Sequence, residues 1–358
     1  MKYRSLVRQT LHYFARPSAG LPRGPITSPA AWRAPEVEKS GDYRMRLSDK
    51  EIAEIETAIA RARSGGTPVR ELSREDFVWD ALRLRIFEWR REIAAGRGFV
   101  VVSGLPVQRW APWQCEYFFW GLGLHLGTPG AQNPQGDLLG HVRDERDEVA
   151  SVTLRQYRTR QHIPFHCDAA DVVGLLCLRG AKAGGESWIA SSVSVFNALW
   201  AAEPEKCRRL CAPFFLDTKA EGGLRAFPIT PCAYADGVLR TFYHSDYFRT
   251  ASRHPEVPAL TDFERSVLDA YDALATSPEY CLKMQFAPGD IQLLSNHSIV
   301  HARDAYEDFE DLAERRHLLR LWLSLPRRRS LSERVSTERS RLGLLLDLGR
   351  HRLAQGRA

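Results

Sequence analysis

The sequence predicts an α+β fold: a double-sheet jelly roll with helices flanking its N-terminal side and inserted between its strands. Three observations predict it. Helical periodicity dominates up to about residue 122; short β-prone runs separated by Gly/Pro turns fill about 151–326; and no internal repeat is visible. No linker divides the helices from the strands, so a single domain is expected over 46–326. A flexible, loosely attached arm at 1–45 and a basic extension at 327–358 bracket it.

The first helix is expected to start at Ser48, where Ser48 and Glu51 have capping-box spacing. Ile52, Ile55, Ile59 and Ala62 then share a face, and Gly65-Gly66 ends it. A second helix is expected from about Asp76 to Ala95, with Phe77, Leu82, Ile86, Trp89 and Ile93 inward. GFVVVSGLP, from Gly98, is continuously apolar, as a buried strand is. A third helix is expected from Trp113 to about Leu122. The later runs HIPFH, DVVGLLCLRG, ESWIASS, GVLRTFYH, CLKMQFAPGDIQLLSN and RHLLRLWLSLP read as strands. Helical inserts are expected near Val193–Cys211 and after the Thr261–Glu264 capping pair.

Composition narrows the function. The 358 residues are 44% hydrophobic and 26% charged, as in ordinary globular proteins. No apolar run is long enough to cross a membrane. The net charge of +6 resides at the ends. Residues 1–30 hold Lys2, Arg4, Arg8, Arg16 and Arg23 without an acid, and 327–358 is similarly basic, leaving the body acidic. A phosphate-tracking surface is therefore not expected, nor is a nucleic-acid partner. The basic ends read as solvated tails. In the C-terminal one, Leu342, Leu345, Leu346 and Leu348 give an amphipathic pattern, readable as packing on the domain, a homo-oligomer contact or a membrane-surface helix. The seven cysteines form no CxxC pair and no secretory signal is recognisable, so a reducing, cytoplasmic setting is expected.

His166-Cys167-Asp168 carries the chemistry. On a strand, residues i and i+2 project to one face, so an imidazole and a carboxylate can meet at one ion. His244–Asp246 and His254–Glu256 fit the same formula. His166–Asp168 is preferred because a buried strand and then Gly184-Gly185 follow it. The distal partner is His301, in LLSNHSIVHARD, with His297 ranked below it. In RRHLLRLWL, strand alternation puts Arg316, Leu318, Arg320 and Trp322 on one face. Two guanidiniums on an apolar face need acids such as Asp304, Glu307 or Asp308, or a bound anion. Two histidines and one carboxylate leave three metal positions open, the arrangement of non-haem Fe(II) oxygenases.

With these blocks in order over roughly 75–325, the chain resembles the taurine dioxygenase-like (TauD/TfdA, clavaminate synthase-like) family of Fe(II)- and 2-oxoglutarate-dependent dioxygenases. The resemblance implies a double-stranded β-helix, with His166, Asp168 and His301 as catalytic iron ligands and O2 as a further cosubstrate. It also implies that Arg316 holds the distal carboxylate of 2-oxoglutarate, with Ser187 touching it. Arg320 matches a position that grips an acidic group of the prime substrate in some relatives. Asp168 stands where halogenating relatives have a small residue, so oxygenation is implied. The expected reaction is hydroxylation of an unactivated C–H bond in a small molecule, an amino acid or natural-product intermediate; desaturation, ring closure and dealkylation are open alternatives. Gln132, Asn133 and Tyr243, with Tyr157, Arg158 and His244, are candidates to line the substrate pocket. The rival readings are a cupin-like metalloenzyme without 2-oxoglutarate and a non-catalytic jelly-roll binding protein.

Overall fold

Strand Phe99–Ser103 is buried on both sides because helices cover one face of its sheet and a second sheet covers the other. The computed structural model describes residues 3–144, 159–219 and 225–326. Its main sheet orders Arg44–Arg46, Phe99–Ser103, Ile291–Ser295, Val172–Arg179, His317–Ser324 and Thr128–Gly130, with Leu139–Val142 also paired to His317–Ser324. The second sheet orders Cys281–Met284, Ser187–Ser191, Ile299–Arg303 and Ile163–His166. The first pair of the main sheet is parallel, and the central pairs of both sheets are antiparallel. The result is a jelly-roll-type α+β fold.

Strand alternation sorts the side chains into layers. Val100, Val102, Leu176, Leu293, Leu319 and Leu321 pack against the N-terminal helices. Phe99, Val101, Val173, Leu294, Leu318 and Trp322 face inward, meeting Ile189, Leu282, Met284 and Ile299 of the second sheet. Phe165, Cys167, Ala190, Val300 and Ala302 face outward onto the inserted helices.

Local signals placed the helices. Helix Asp49–Ser64 carries the Ser48–Glu51 capping box. Helix Asp262–Thr276 carries the Thr261–Glu264 box. The second helix starts later than expected, at Ala81, since Asp76 caps its own turn by accepting from the Ser73 N–H at 2.6 Å. Glu54 then accepts the N–H groups of Ala81 and Leu82. The third helix runs longer, Pro112–Leu126, and the Val193–Cys211 insert is two helices, Ser192–Ala202 and Pro204–Leu210, the second opening on Pro204.

The loosely attached arm is corrected. Residues 3–45 include helices Leu6–Phe14 and Ala34–Ser40 and bury Tyr13, Phe14 and Trp32. Tyr13 donates to the carbonyls of Thr241 and Asn296, and Arg16, expected in a solvated tail, is buried and donates to backbone carbonyls. The reason is that a few anchoring aromatics suffice where polar partners wait on the body. Asp171 is the main anchor: its carboxylate meets His12 Nε2 at 2.8 Å and His297 Nε2 at 2.7 Å, and accepts the Leu325 N–H at 2.8 Å. Asp171→Ala strands these donors in a buried place and is expected to cost about 3 kcal/mol. Urea denaturation reads the loss, and limited proteolysis should release the N-terminal segment first.

Among the described residues no helix is long and apolar enough to cross a membrane. The C-terminal extension 327–358, with its leucine pattern, and Tyr157 and Arg158 lie outside the described residues.

Candidate active site

The two sheets converge on a polar end of their shared interior. His301 pairs with His166 directly across neighbouring strands, and alternation turns both imidazoles inward. Their ring centroids lie 4.2 Å apart. Asp168 joins them from the turn after Ile163–His166, with Oδ2 3.8 Å from His301 Nε2. One ligand atom from each of the three residues falls within 4.8 Å of the others, close enough to hold one metal ion.

Each donor is oriented by a neighbour. His166 Nδ1 lies 2.9 Å from the Pro164 carbonyl, the bond that fixes the ring and leaves Nε2 as the ligand atom. Trp322 Nε1–H donates to Asp168 Oδ2 at 3.0 Å, and the Asp168 N–H donates to Asn296 Oδ1 at 3.0 Å. Burial pushes the His166 pKa down and that of His301 down to about 3, so both rings are neutral, as metal ligands must be. Burial alone pushes the Asp168 pKa up, but the Arg320 guanidinium, the largest opposing charge, and the Trp322 hydrogen bond act against it, and the pKa lies below the ordinary carboxylate value.

The alternatives fall away on geometry. Among the described residues the metal-ligating atoms that meet are those of His166, Asp168 and His301, without His244 or Asp246, the latter in helix Ser245–Thr250. His254 meets Asp217 at 3.3 Å, and His297 meets Asp171. His244 nonetheless packs beside the cluster, its ring 5.2 Å from that of His166.

Arg316 and Arg320 are both buried and share the inward face. The acids that might have neutralised Arg316 do otherwise. Asp308 Oδ1 accepts its backbone N–H, and Asp304 Oδ1 accepts the N–H of Ala305. Arg316 Nη1 has no partner among the described residues. Ser187 faces the same space and donates to Gln292 Oε1 at 3.1 Å, and Gln292 Nε2 has no partner among the described residues. Gly184 and Gly185 close this end at φ +71° and +73°; a Cβ on Gly185 would stand 3.3 Å from Arg316 Nε. Neutral imidazoles, a carboxylate and a buried guanidinium whose Nη1 has no partner among the described residues fit a divalent metal and a carboxylate-bearing ligand.

The pocket candidates divide. Gln132 is buried and bound to Arg320 twice, accepting from Arg320 Nε at 2.7 Å and donating to its carbonyl at 2.9 Å. Asn133 is engaged in a turn, donating to Asp137 Oδ2 and accepting the Asp137 N–H. Tyr243 is corrected: its hydroxyl donates to Asp272 Oδ1 at 2.7 Å and its ring stacks on Tyr271, away from the cluster. Its neighbour His244 takes the inward side. Sequence reasoning missed Gln292 and Arg303, both inward and buried. Each carried a signal, a polar residue inside an apolar strand and an arginine two positions after His301.

Comparison with known proteins agrees with this geometry. The profile described as "Taurine catabolism dioxygenase TauD, TfdA family" matches residues 65–322. FR-33289 synthase of Streptomyces rubellomurinus is 31% identical over 331 residues, 88% of this chain and 95% of that protein. The taurine hydroxylase-like protein SAT17 of Stachybotrys chartarum is 27% identical over 83% of this chain and 79% of its own. Asparagine oxygenase, solved with Fe(II), 3-hydroxyasparagine and succinate, superposes with TM-score 0.64 at 19% identity, covering 78% of this chain and 93% of its own. The non-heme iron oxygenase OrfP, solved with Fe and alpha-ketoglutaric acid, superposes with TM-score 0.60 at 17% identity, covering 81% and 96%. The chain therefore belongs to the TauD/TfdA family of Fe(II)- and 2-oxoglutarate-dependent dioxygenases and is an oxidoreductase.

Proposed function

We propose that the protein hydroxylates an unactivated C–H bond of a small, anionic molecule, an amino acid or natural-product intermediate. In this reading the two sheets are the family's double-stranded β-helix, His166, Asp168 and His301 hold Fe(II), and Arg316 and Ser187 anchor the distal carboxylate of 2-oxoglutarate. The observation that carries it is the meeting, in one interior, of this three-residue cluster with a buried guanidinium whose Nη1 has no partner among the described residues. Bound there, the metal supplies oxidative decarboxylation of 2-oxoglutarate coupled to oxidation of the substrate.

The chain's residues bind and orient. The Pro164 carbonyl sets the His166 ring, and Trp322 fixes the Asp168 carboxylate by donating to Oδ2, the oxygen 3.8 Å from His301 Nε2. Arg316 gives charge-assisted hydrogen bonds to a carboxylate, which set the angle of the 2-oxo acid. Gln132 accepts from Arg320 Nε and so holds a guanidinium whose charge acts on Asp168. An anionic substrate group suits that position, in keeping with asparagine oxygenase and OrfP, whose structures hold hydroxyasparagine and arginine.

Anaerobic addition of Fe(II) and 2-oxoglutarate should produce a charge-transfer band that neither gives alone. Succinate release across a panel of amino acids and small metabolites, with product mass recorded, then finds the substrate; a gain of one oxygen is expected. A bound metal without a 2-oxoglutarate-dependent band favours the cupin-like reading, and no metal uptake favours a binding protein. Arg320→Leu should raise the substrate KM by about tenfold or more with little change in the KM for 2-oxoglutarate. Equal effects on both would reassign Arg320.

A further inference from the structure

Arg303 is a buried cation whose hydrogen bonds go to backbone carbonyls and to no acid among the described residues. It follows His301 by two positions, so alternation points it into the same interior, and it pairs in register with Ser187 on the adjacent strand. It is 7% exposed and Arg316 is 5% exposed. Both guanidiniums lie near one ring: the Cζ of Arg303 is 4.8 Å and that of Arg316 5.2 Å from the Tyr306 centroid. Arg303 donates through Nη2 to the carbonyls of Thr159 and Gln161. Its Nε and Nη1, like Nη1 of Arg316, have no partner among the described residues. Asp144 and Asp304 act on Arg303 only through space; Asp144 is ion-paired to Arg160 at 3.1 Å, and Asp304 contacts the Ala305 N–H.

Two buried like charges beside one aromatic ring repel each other and have lost their water. Such an arrangement is costly unless an anion completes it. A carboxylate has two oxygens and about four lone-pair directions, enough for donors from two guanidiniums and the Ser187 hydroxyl. We infer that Arg303 and Arg316 together form a two-guanidinium clamp on the distal carboxylate of 2-oxoglutarate, Arg303 acting beside Ser187. The inference rests on the cosubstrate assignment made under Proposed function and adds a second cation to it. It also assigns a selectivity: the clamp rewards a 2-oxo diacid and gives nothing to a 2-oxo monoacid of similar length.

The test is anaerobic calorimetric titration of Fe(II)-loaded protein with 2-oxoglutarate and, separately, 2-oxobutyrate, which lacks the distal carboxylate. Arg303→Gln should weaken 2-oxoglutarate binding by about tenfold or more, through loss of charge-assisted hydrogen bonds. Binding of 2-oxobutyrate and of Fe(II) should be unchanged. Arg303→Lys keeps the charge and the hydrogen bond to a carbonyl, so it reads the clamp even if the glutamine variant does not fold; a severalfold weakening is expected. Wild-type 2-oxoglutarate affinity in Arg303→Lys, alongside lost affinity in Arg316→Gln, overturns the clamp and leaves the cosubstrate site standing. Unchanged affinity in both Arg303→Lys and Arg316→Gln overturns the cosubstrate assignment itself.

Discussion

Alanine at His301 is expected to lower Fe(II) affinity by more than about 100-fold, beyond the 10–100-fold typical of losing a ligand's supporting partner. His301 sits in a strand paired on both sides, to Ser187–Ser191 and to Ile163–His166, so the backbone keeps its register without the imidazole. Its Nδ1 has no partner among the described residues, so truncation strands nothing there. Folding stability should therefore fall far less than metal affinity. Equilibrium dialysis with iron quantified, run beside thermal unfolding of the metal-free protein, separates the two. Full iron stoichiometry in the variant would remove His301 from the ligand set.

Arg316→Leu is expected to move two quantities in opposite directions. Burial pushes the Arg316 pKa down, while Tyr306, Cys177 and Asp308 pull it back up only in part. Nothing described neutralises Nη1 directly. Replacing such a group with an apolar side chain is commonly neutral or stabilising, by about 1–4 kcal/mol. The metal-free variant should unfold at the wild-type temperature or above it. Its affinity for 2-oxoglutarate should fall by about 100-fold, and added 2-oxoglutarate should no longer raise the unfolding temperature. A drop in intrinsic stability with 2-oxoglutarate affinity intact would make Arg316 a structural residue.

What the sequence disclosed follows the range of the interactions concerned. Capping boxes at Ser48 and Thr261 involve residues three apart, so they are legible locally. The inward face of His317–Ser324 rests on strand alternation, also local, whereas Asp168 lies in the turn beyond Ile163–His166 and reaches the cluster without the strand spacing expected of it. The distant meeting of His301 with His166 was legible because residue chemistry in family order supplied what spacing could not. Illegible were contacts whose partners lie far along the chain and outside any regular element. Tyr13 reaches carbonyls at Thr241 and Asn296, and Asp171 gathers His12 and His297, so the arm's attachment left no local trace. Tyr243 and His244 precede a helix after a short bridge, where alternation gives no face in advance, and the tyrosine was placed on the wrong side.

Cys167 stands between two proposed iron ligands in an enzyme built to oxidise. A thiolate there would be the first casualty of every uncoupled turnover. Alternation sends its sulfur through the sheet to the opposite layer, where Sγ lies 3.6 Å from the Ile299 carbonyl and burial pushes its pKa up to about 12. Protonated and walled off from the interior that holds His166 and Asp168, it is chemically mute. The backbone pleat thus serves as a shield, sparing the enzyme self-inflicted damage without the exclusion of cysteine from its most hazardous position.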